Sequence, residues 1–254
     1  MFRSLVFGAC LIGLVLGLTT TAVQSVGVTP ILLAAEQYEI GDEPHPAAAD
    51  TAHEHGGDAG HHHDEGAWAP ADGAERLFYT AISNICTGIG FAAILLVVMN
   101  QLRERGQLAL SAGRGLVVGA LAYLAVFVAP SLGLPPEIPG ASAAALESRQ
   151  LWWLATVILS AAGLGLLILG RGWQRWLGPV LWLLPHGWVP AHQGPLFAHP
   201  DPQAVAALSA LHRDFILASG LTNLAFWLLA GVLCAVVLKR YASASGERAH
   251  DATA

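Results

Sequence analysis

Charge is what this chain has least of: 12% of its 254 residues are Asp, Glu, Lys or Arg, while 54% are hydrophobic. Soluble domains carry about 25% charged residues, so that class is excluded and a polytopic membrane protein fits. Lysine is nearly missing. The single lysine is Lys239, no G-x-x-x-x-G-K-[ST] phosphate loop exists, and the chain cannot itself hydrolyse ATP by that route. The three cysteines, Cys10, Cys86 and Cys234, all fall in apolar runs, which excludes a secreted-type disulfide framework and leaves them as packing residues. A net charge of -6 without clustered Lys and Arg excludes nucleic-acid backbone binding.

Histidine, by contrast, is concentrated in one place. The stretch HPAAADTAHEHGGDAGHHH, followed at once by Asp64 and Glu65, holds His45, His53, His55, His61, His62 and His63, six of the eleven histidines. Imidazole is a common ligand for borderline transition metals, and this density makes a multidentate chelator. Expression tags and solvated low-complexity loops are also His-rich, but a tag sits at a terminus and this tract is internal and acidic. Too little apolar sequence surrounds it to fix a preformed single-metal site.

The apolar runs give an all-α fold, a polytopic helical membrane bundle. Leu5 to Leu33 is too long for a bilayer of about 30 Å and should tilt or break near Pro30. A cleaved signal peptide is the rival reading, but apolar sequence continues well past the small residues Thr19 to Ala22, so a retained helix is expected. Further runs follow at Leu77 to Leu102, Leu116 to Leu132, Leu151 to Leu169, Trp173 to Val189 and Phe215 to Leu238. The expectation is about six spans with both termini cytoplasmic, or five if the first is cleaved or the short, proline-containing fifth does not cross. Asp72 and Glu75 have the capping-box spacing for a helix starting at Gly73. Residues 1–254 then form one integral membrane domain, with a disordered external loop over 40–67 and a short cytoplasmic tail over 240–254.

Basic residues support the count of six. With the N-terminus inside, nine of them (Arg3, Arg103, Arg105, Arg114, Arg171, Arg175, Lys239, Arg240 and Arg248) lie inside, against Arg76, Arg149 and Arg213 outside. The same map places fifteen of the eighteen acids and ten of the eleven histidines outside. An anionic, imidazole-rich outer face concentrates cations there. Trp68, Trp152, Trp153, Trp173 and Trp188 fall near predicted boundaries, as an aromatic belt does.

No ionisable side chain lies deep in any run, so Gln24, Asn84 and Asn223 are the most polar intramembrane groups. Thr80, Asn84 and Thr87 share one helix face, and Ser219, Thr222 and Asn223 form a similar patch. They serve either as interhelical hydrogen-bonding glue or as the lining of a polar pathway. The spacings Gly13 to Gly17 and Gly115 to Gly119 suit close helix contact. At the mouth, Glu36, Glu39, Glu137, His186, His192, His199 and His212 are individually ordinary interfacial groups and together a possible handover site. As candidate metal ligands, Glu36, Glu39 and His186 join the six loop histidines.

The runs VTPILLAAEQYE, WAPADGAERLFYTAISNICTGIGFA, APSLGLPPEIPG, RQLWWLAT, LPH and TNLAFWLLAG, in this order around a His-rich loop, resemble the CbtA-type family of probable cobalt transporter subunits. The resemblance covers nearly the whole chain and favours Glu36, Glu39, Asp72, Glu75, Asn84, Glu137, His186 and Asn223 as family positions. It implies about five spans, a bacterial inner-membrane location, divalent cobalt as the transported ion with no bound organic cofactor, and a small single-span partner with its own histidine motif (CbtB-type). The stretch HGWVPAHQGPLFAHP is richer in histidine than that pattern.

The leading expectation is a non-enzymatic membrane subunit for uptake of divalent cobalt, with nickel as the alternative ion: the loop captures, and a polar interhelical cavity passes the ion inward. Imidazole alone does not select cobalt over nickel, copper or zinc. The competing class is a membrane-anchored metal buffer or sensor that moves nothing. A membrane metallohydrolase is disfavoured, because His53-Glu54-His55 lacks the H-E-x-x-H spacing and no acid lies deep enough to act as base.

Overall fold

The computed structural model describes residues 2–39 and 70–251, with side chains over 3–39 and 70–243. The loop histidines His45, His53, His55, His61, His62 and His63, and Trp68, lie outside the described residues. All the regular elements described are helical. In chain order they are α1 (Phe2–Gly27), α2 (Thr29–Glu36), α3 (Ala74–Glu104), α4 (Ala112–Tyr123), α5 (Ala129–Gly133), α6 (Leu146–Leu169), α7 (Leu177–Leu183) and α8 (Pro202–Asp251). Among the described residues, five helical stretches are long and apolar enough to cross a membrane: Arg3–Gly27, Ala74–Glu104, Ala112–Gly133, Leu146–Leu169 and Pro202–Ser243. The protein is a multi-pass helical bundle.

The first run breaks where proline requires it. α1 ends at Gly27 and α2 resumes with Pro30 in its first turn, where the missing N–H costs no helical bond. The chain enters α3 through Gly73, whose φ of 91° suits glycine. Here the capping expectation fails. Asp72 does not cap the helix; it pairs with Arg76 at 3.0 Å, one turn on, while Glu75 Oε2 accepts the Ala71 N–H at 3.3 Å. An arginine one turn ahead competes for the carboxylate, and sequence spacing does not register that competition.

α4 and α5 make one crossing joined by a π-helical turn, Leu124–Val128. Pro130 cannot donate to the carbonyl one turn before it, and the register widens there, with Ala129 N donating to Leu124 O.

The fifth predicted run is not a long helix. It consists of a 3-10 turn (Gly172–Trp176), α7, and a second 3-10 turn (Leu184–Trp188). It still returns the chain along α6. Arg175 Nε donates to Leu167 O at 3.0 Å, Gly178 packs on Gly163, and Trp152 Nε1 donates to Pro185 O at 2.9 Å. Because 3-10 turns rise about 2.0 Å per residue, this short stretch reaches about 30 Å, which an α-helix of equal residue count does not. Trp152 is accordingly 3% exposed and belongs to that interface rather than to an aromatic belt, whereas Trp173 and Trp188 are exposed.

The last helix starts earlier than the apolar run, at Pro202, and continues through the predicted tail to Asp251. Its N-terminal turns extend beyond the bundle and pack Leu208 with Ala35, Ile138 and Phe197, a second apolar cluster over the end where residues 40–69 depart. We call this the loop end. The antiparallel pairing of α1 with α3 and of α4 with α8 then puts Arg3, Arg103, Arg114, Arg171 and Lys239 at the opposite end.

Both glycine pairs are contact surfaces. Gly13 and Gly17 meet Ile85, Gly88 and Ile89 of α3, and a Cβ on Gly88 would lie 2.8 Å from the Gly13 carbonyl. Gly115 and Gly119 meet Trp227 and Gly231 of α8, where a Cβ on Gly115 would lie 2.6 Å from the Gly231 carbonyl. Lipid supplies little hydrophobic drive between helices, so backbone-to-backbone approach of this kind holds the bundle.

Candidate functional site

Gln24, Asn84 and Asn223 come from α1, α3 and α8 and line one cavity of about 300 Å³. Asn84 lies about 15 Å along α3 from its start, well inside the span. Thr20, Thr87 and Thr222 complete the polar lining. A second cavity of about 540 Å³ shares Gln24, Thr222 and Asn223 and extends to Asp72 and Arg76 at the loop end. The same three residues thus border both the inner cavity and the one at the loop end.

One hydrogen-bond network joins α1 to α3 at this cavity. The Thr21 hydroxyl donates to Gly17 O at 2.8 Å, so its oxygen is left to accept from Asn84 Nδ2 at 3.0 Å. Asn84 Nδ2 also donates to Gln24 Oε1 at 2.7 Å. With both amide protons committed, Asn84 presents its oxygen without a partner among the described residues. In Asn223 one Nδ2 proton goes to Ser219 O at 3.0 Å, and Oδ1 and the second N–H have no partner among the described residues. Thr222 Oγ1 donates to Ala218 O at 2.8 Å and keeps lone pairs. The lining is neutral and mixes amide and hydroxyl oxygens with amide N–H groups, so an ion there would keep much of its water shell.

The floor of the inner cavity is aromatic. Phe91 lies 4.8 Å from Trp227 and 6.1 Å from Phe226, centroid to centroid, and those two rings lie 5.4 Å apart. Beyond them the seam is buried and apolar, with Leu95, Leu96 and Met99 of α3 against Ala230, Cys234 and Leu238 of α8.

The candidate metal ligands at the mouth do not converge. Glu36 is bound to Arg76 through both carboxylate oxygens, one of them at 3.1 Å. Glu39 is exposed at the end of the segment after α2. His186 Nε2 donates to the Ala129 carbonyl at 2.9 Å, with its ring edge-on to Trp152, so it ties the return segment to α5. Glu137 pairs with Arg149, and the mostly buried His212 donates from Nε2 to Pro136 O at 3.0 Å. His199 Nδ1 accepts from the Asp201 N–H, leaving His192 as the remaining loop histidine in this set. Among the described residues no three His, Cys, Asp or Glu side chains are grouped to hold a metal ion.

Sequence reading missed three contributors. Thr21 was hidden in a run read as uniformly apolar, although Gly17, Thr21 and Gln24 fall on one helix face. Arg76 looked like an ordinary first-turn residue. The aromatic floor has only its spacing as a signal: Phe91 follows Thr87 by one turn on α3, and Phe226 and Trp227 follow Thr222 and Asn223 by one turn on α8.

No curated protein and no solved structure matches the chain. A family model does, and it covers the helices that build both cavities. From residue 2 to residue 239, nearly its whole length, the chain matches the model of the probable cobalt transporter subunits (CbtA), and it belongs to that family.

Proposed function

We propose that this cobalt-transporter subunit admits divalent cobalt to the cell from the loop end, with the ion collected by the histidines of residues 45–63 and passed along the two cavities that share Gln24, Thr222 and Asn223. The observation that carries this is the shared lining: Asn84 and Asn223, on different helices, border one cavity and have carbonyl oxygens with no partner among the described residues. Weak, neutral oxygen donors let an ion enter and leave, whereas the nitrogen donors that bind it tightly are kept in the external loop. Nickel fits the same donor chemistry. The bias of basic residues toward the opposite end supports a loop end that faces outward and a basic end in the cytoplasm of a bacterial inner membrane.

As a subunit, the chain works with a partner. The small single-span CbtB-type protein with its own histidine motif is the partner proposed. The membrane potential favours inward movement of a divalent ion by about 2.3 kcal/mol per charge per 100 mV, and no catalytic step is required of this chain.

The sealed aromatic floor is what favours the competing reading, a metal buffer that presents the loop without moving ions. Accumulation of cobalt, nickel and zinc by cells expressing the chain, with and without the small partner and with residues 45–63 deleted, separates the two. Metal-specific uptake that is slowed but not abolished by the deletion supports transport. Metal retention that disappears with the loop, with no transfer to the cell interior, supports the buffer; labelling of His61→Cys only from the cytosol would overturn the inward route.

A further inference from the structure

Four helices around the cavity form two tightly clamped pairs. α1 and α3 meet through Gly13, Gly17 and Gly88, and α4 and α8 meet through Gly115, Gly119 and Gly231, in both cases with one backbone against the other. Neither pair has room to slide without a collision between main chains. The seam between the pairs is different, because side chains make it. Phe91 rests on Phe226 and Trp227, a weak Sγ–H donor reaches from Cys234 to Ala92 O at 3.8 Å, and Gly8 faces Val237 near the basic end. The cavity bordered by Gln24, Asn84 and Asn223 occupies the seam above the rings, and buried apolar side chains fill it below.

We infer that the α4–α8 pair moves as one body against the α1–α3 pair, and that the Phe91–Phe226–Trp227 cluster is the seal that parts. The inference deepens the transport reading above and rests on it for its purpose, though the motion is measurable by itself. A hydrated divalent ion does not cross a dry apolar seam, so passage needs that seam opened. Side-chain contacts of this kind separate and re-form at far lower cost than the glycine contacts, where backbones would have to disengage. The structure is then the state open toward the loop end and closed toward the basic end. Rocking one rigid helix group against another around a midplane site is a general solution to alternating access.

Cys234 supplies the reporter, since it is completely buried just below the floor while Cys10 and Cys86 are exposed on the bundle surface. In full-length protein carrying Cys10→Ala and Cys86→Ala, in membrane vesicles containing the small partner, modification of Cys234 by a small methanethiosulfonate reagent is read by peptide mass spectrometry. A disulfide between Gly8→Cys and Val237→Cys, formed after folding, joins α1 to α8 across the seam; a Cβ on Gly8 would lie 3.0 Å from Val237 Cγ1. The expected result is at least a tenfold slowing of Cys234 modification on oxidation, with cobalt uptake blocked in parallel and both restored by reductant. Modification that is unaffected by the cross-link overturns the two-body motion, whatever uptake does. Cross-link-sensitive modification in a chain that moves no cobalt upholds the motion and sinks the transport reading instead.

Discussion

Phe91 and Trp227, on helices far apart in the chain, hold their ring centroids 4.8 Å apart directly below the cavity that Asn84 and Asn223 line. Each helix carries a polar group and then, one turn on, an aromatic ring, so α3 and α8 present the same order of chemistry to an ion arriving from the loop end. Replacing Phe91 by Ala removes the part-exposed member of the seal. We expect Cys234 to become reactive and small cations to leak without metal selectivity, as read by thiol modification and vesicle cation flux; an unchanged leak would separate these rings from closure.

The glycine contacts predict opposite effects on one helix. Gly88→Ala places a methyl against the Gly13 backbone and should destabilise the bundle by about 1–3 kcal/mol, the usual cost of overpacking. Gly90→Ala meets nothing within 4 Å and should stabilise α3 by up to about 1 kcal/mol through helix propensity. Thermal melts in detergent that moved the same way for both would contradict the close pairing of α1 with α3.

Arg76 lines the mouth with one carboxylate partner on α2 and another at Asp72. In Arg76→Gln the two acids lose their compensating charge, so divalent cations are drawn to the mouth more strongly. Initial cobalt uptake at low ionic strength should rise, and the gain should shrink as salt is added. A gain that does not depend on salt would point to a structural effect.

Capture by the loop should weaken with acid. Imidazole binds metal only when neutral, and an unperturbed histidine protonates near about pH 6.5. Cobalt retained by the full chain should therefore fall as pH drops from about 7.5 to about 5.5, while a chain lacking residues 45–63 should lose that step. Isothermal titration across this range reads it directly.

Much of the bundle was legible in the sequence because its signals are local. Apolar runs located the long helices, Pro30 located the break between α1 and α2, and the two GxxxG spacings marked true contacts. Gln24, Asn84 and Asn223 could be singled out because amides are conspicuous where charge is missing. The parts that stayed hidden depend on partners distant in the chain. Glu36 meets Arg76, His186 meets the Ala129 carbonyl and Trp152 meets Pro185, and those meetings convert apparent mouth or belt residues into structural ties. The fifth run stays ambiguous in the sequence for a geometric reason, since 3-10 turns stretch a proline-containing segment that length alone marks as too short for an α-helical span.

The central claim is that cobalt passes between α3 and α8 at their paired asparagines. Asn84→Ala also removes two hydrogen bonds to α1, worth about 0.6–2 kcal/mol each, so Asn223→Ala, which gives up only a bond within its own helix, is the cleaner variant. The decisive measurement is the initial rate of cobalt entry in cells expressing the loop-intact chain with its partner, comparing the parent with Asn223→Ala at matched membrane abundance. A loss of at least tenfold with cobalt capture at the surface unchanged is the predicted result; a rate equal to the parent's would contradict it.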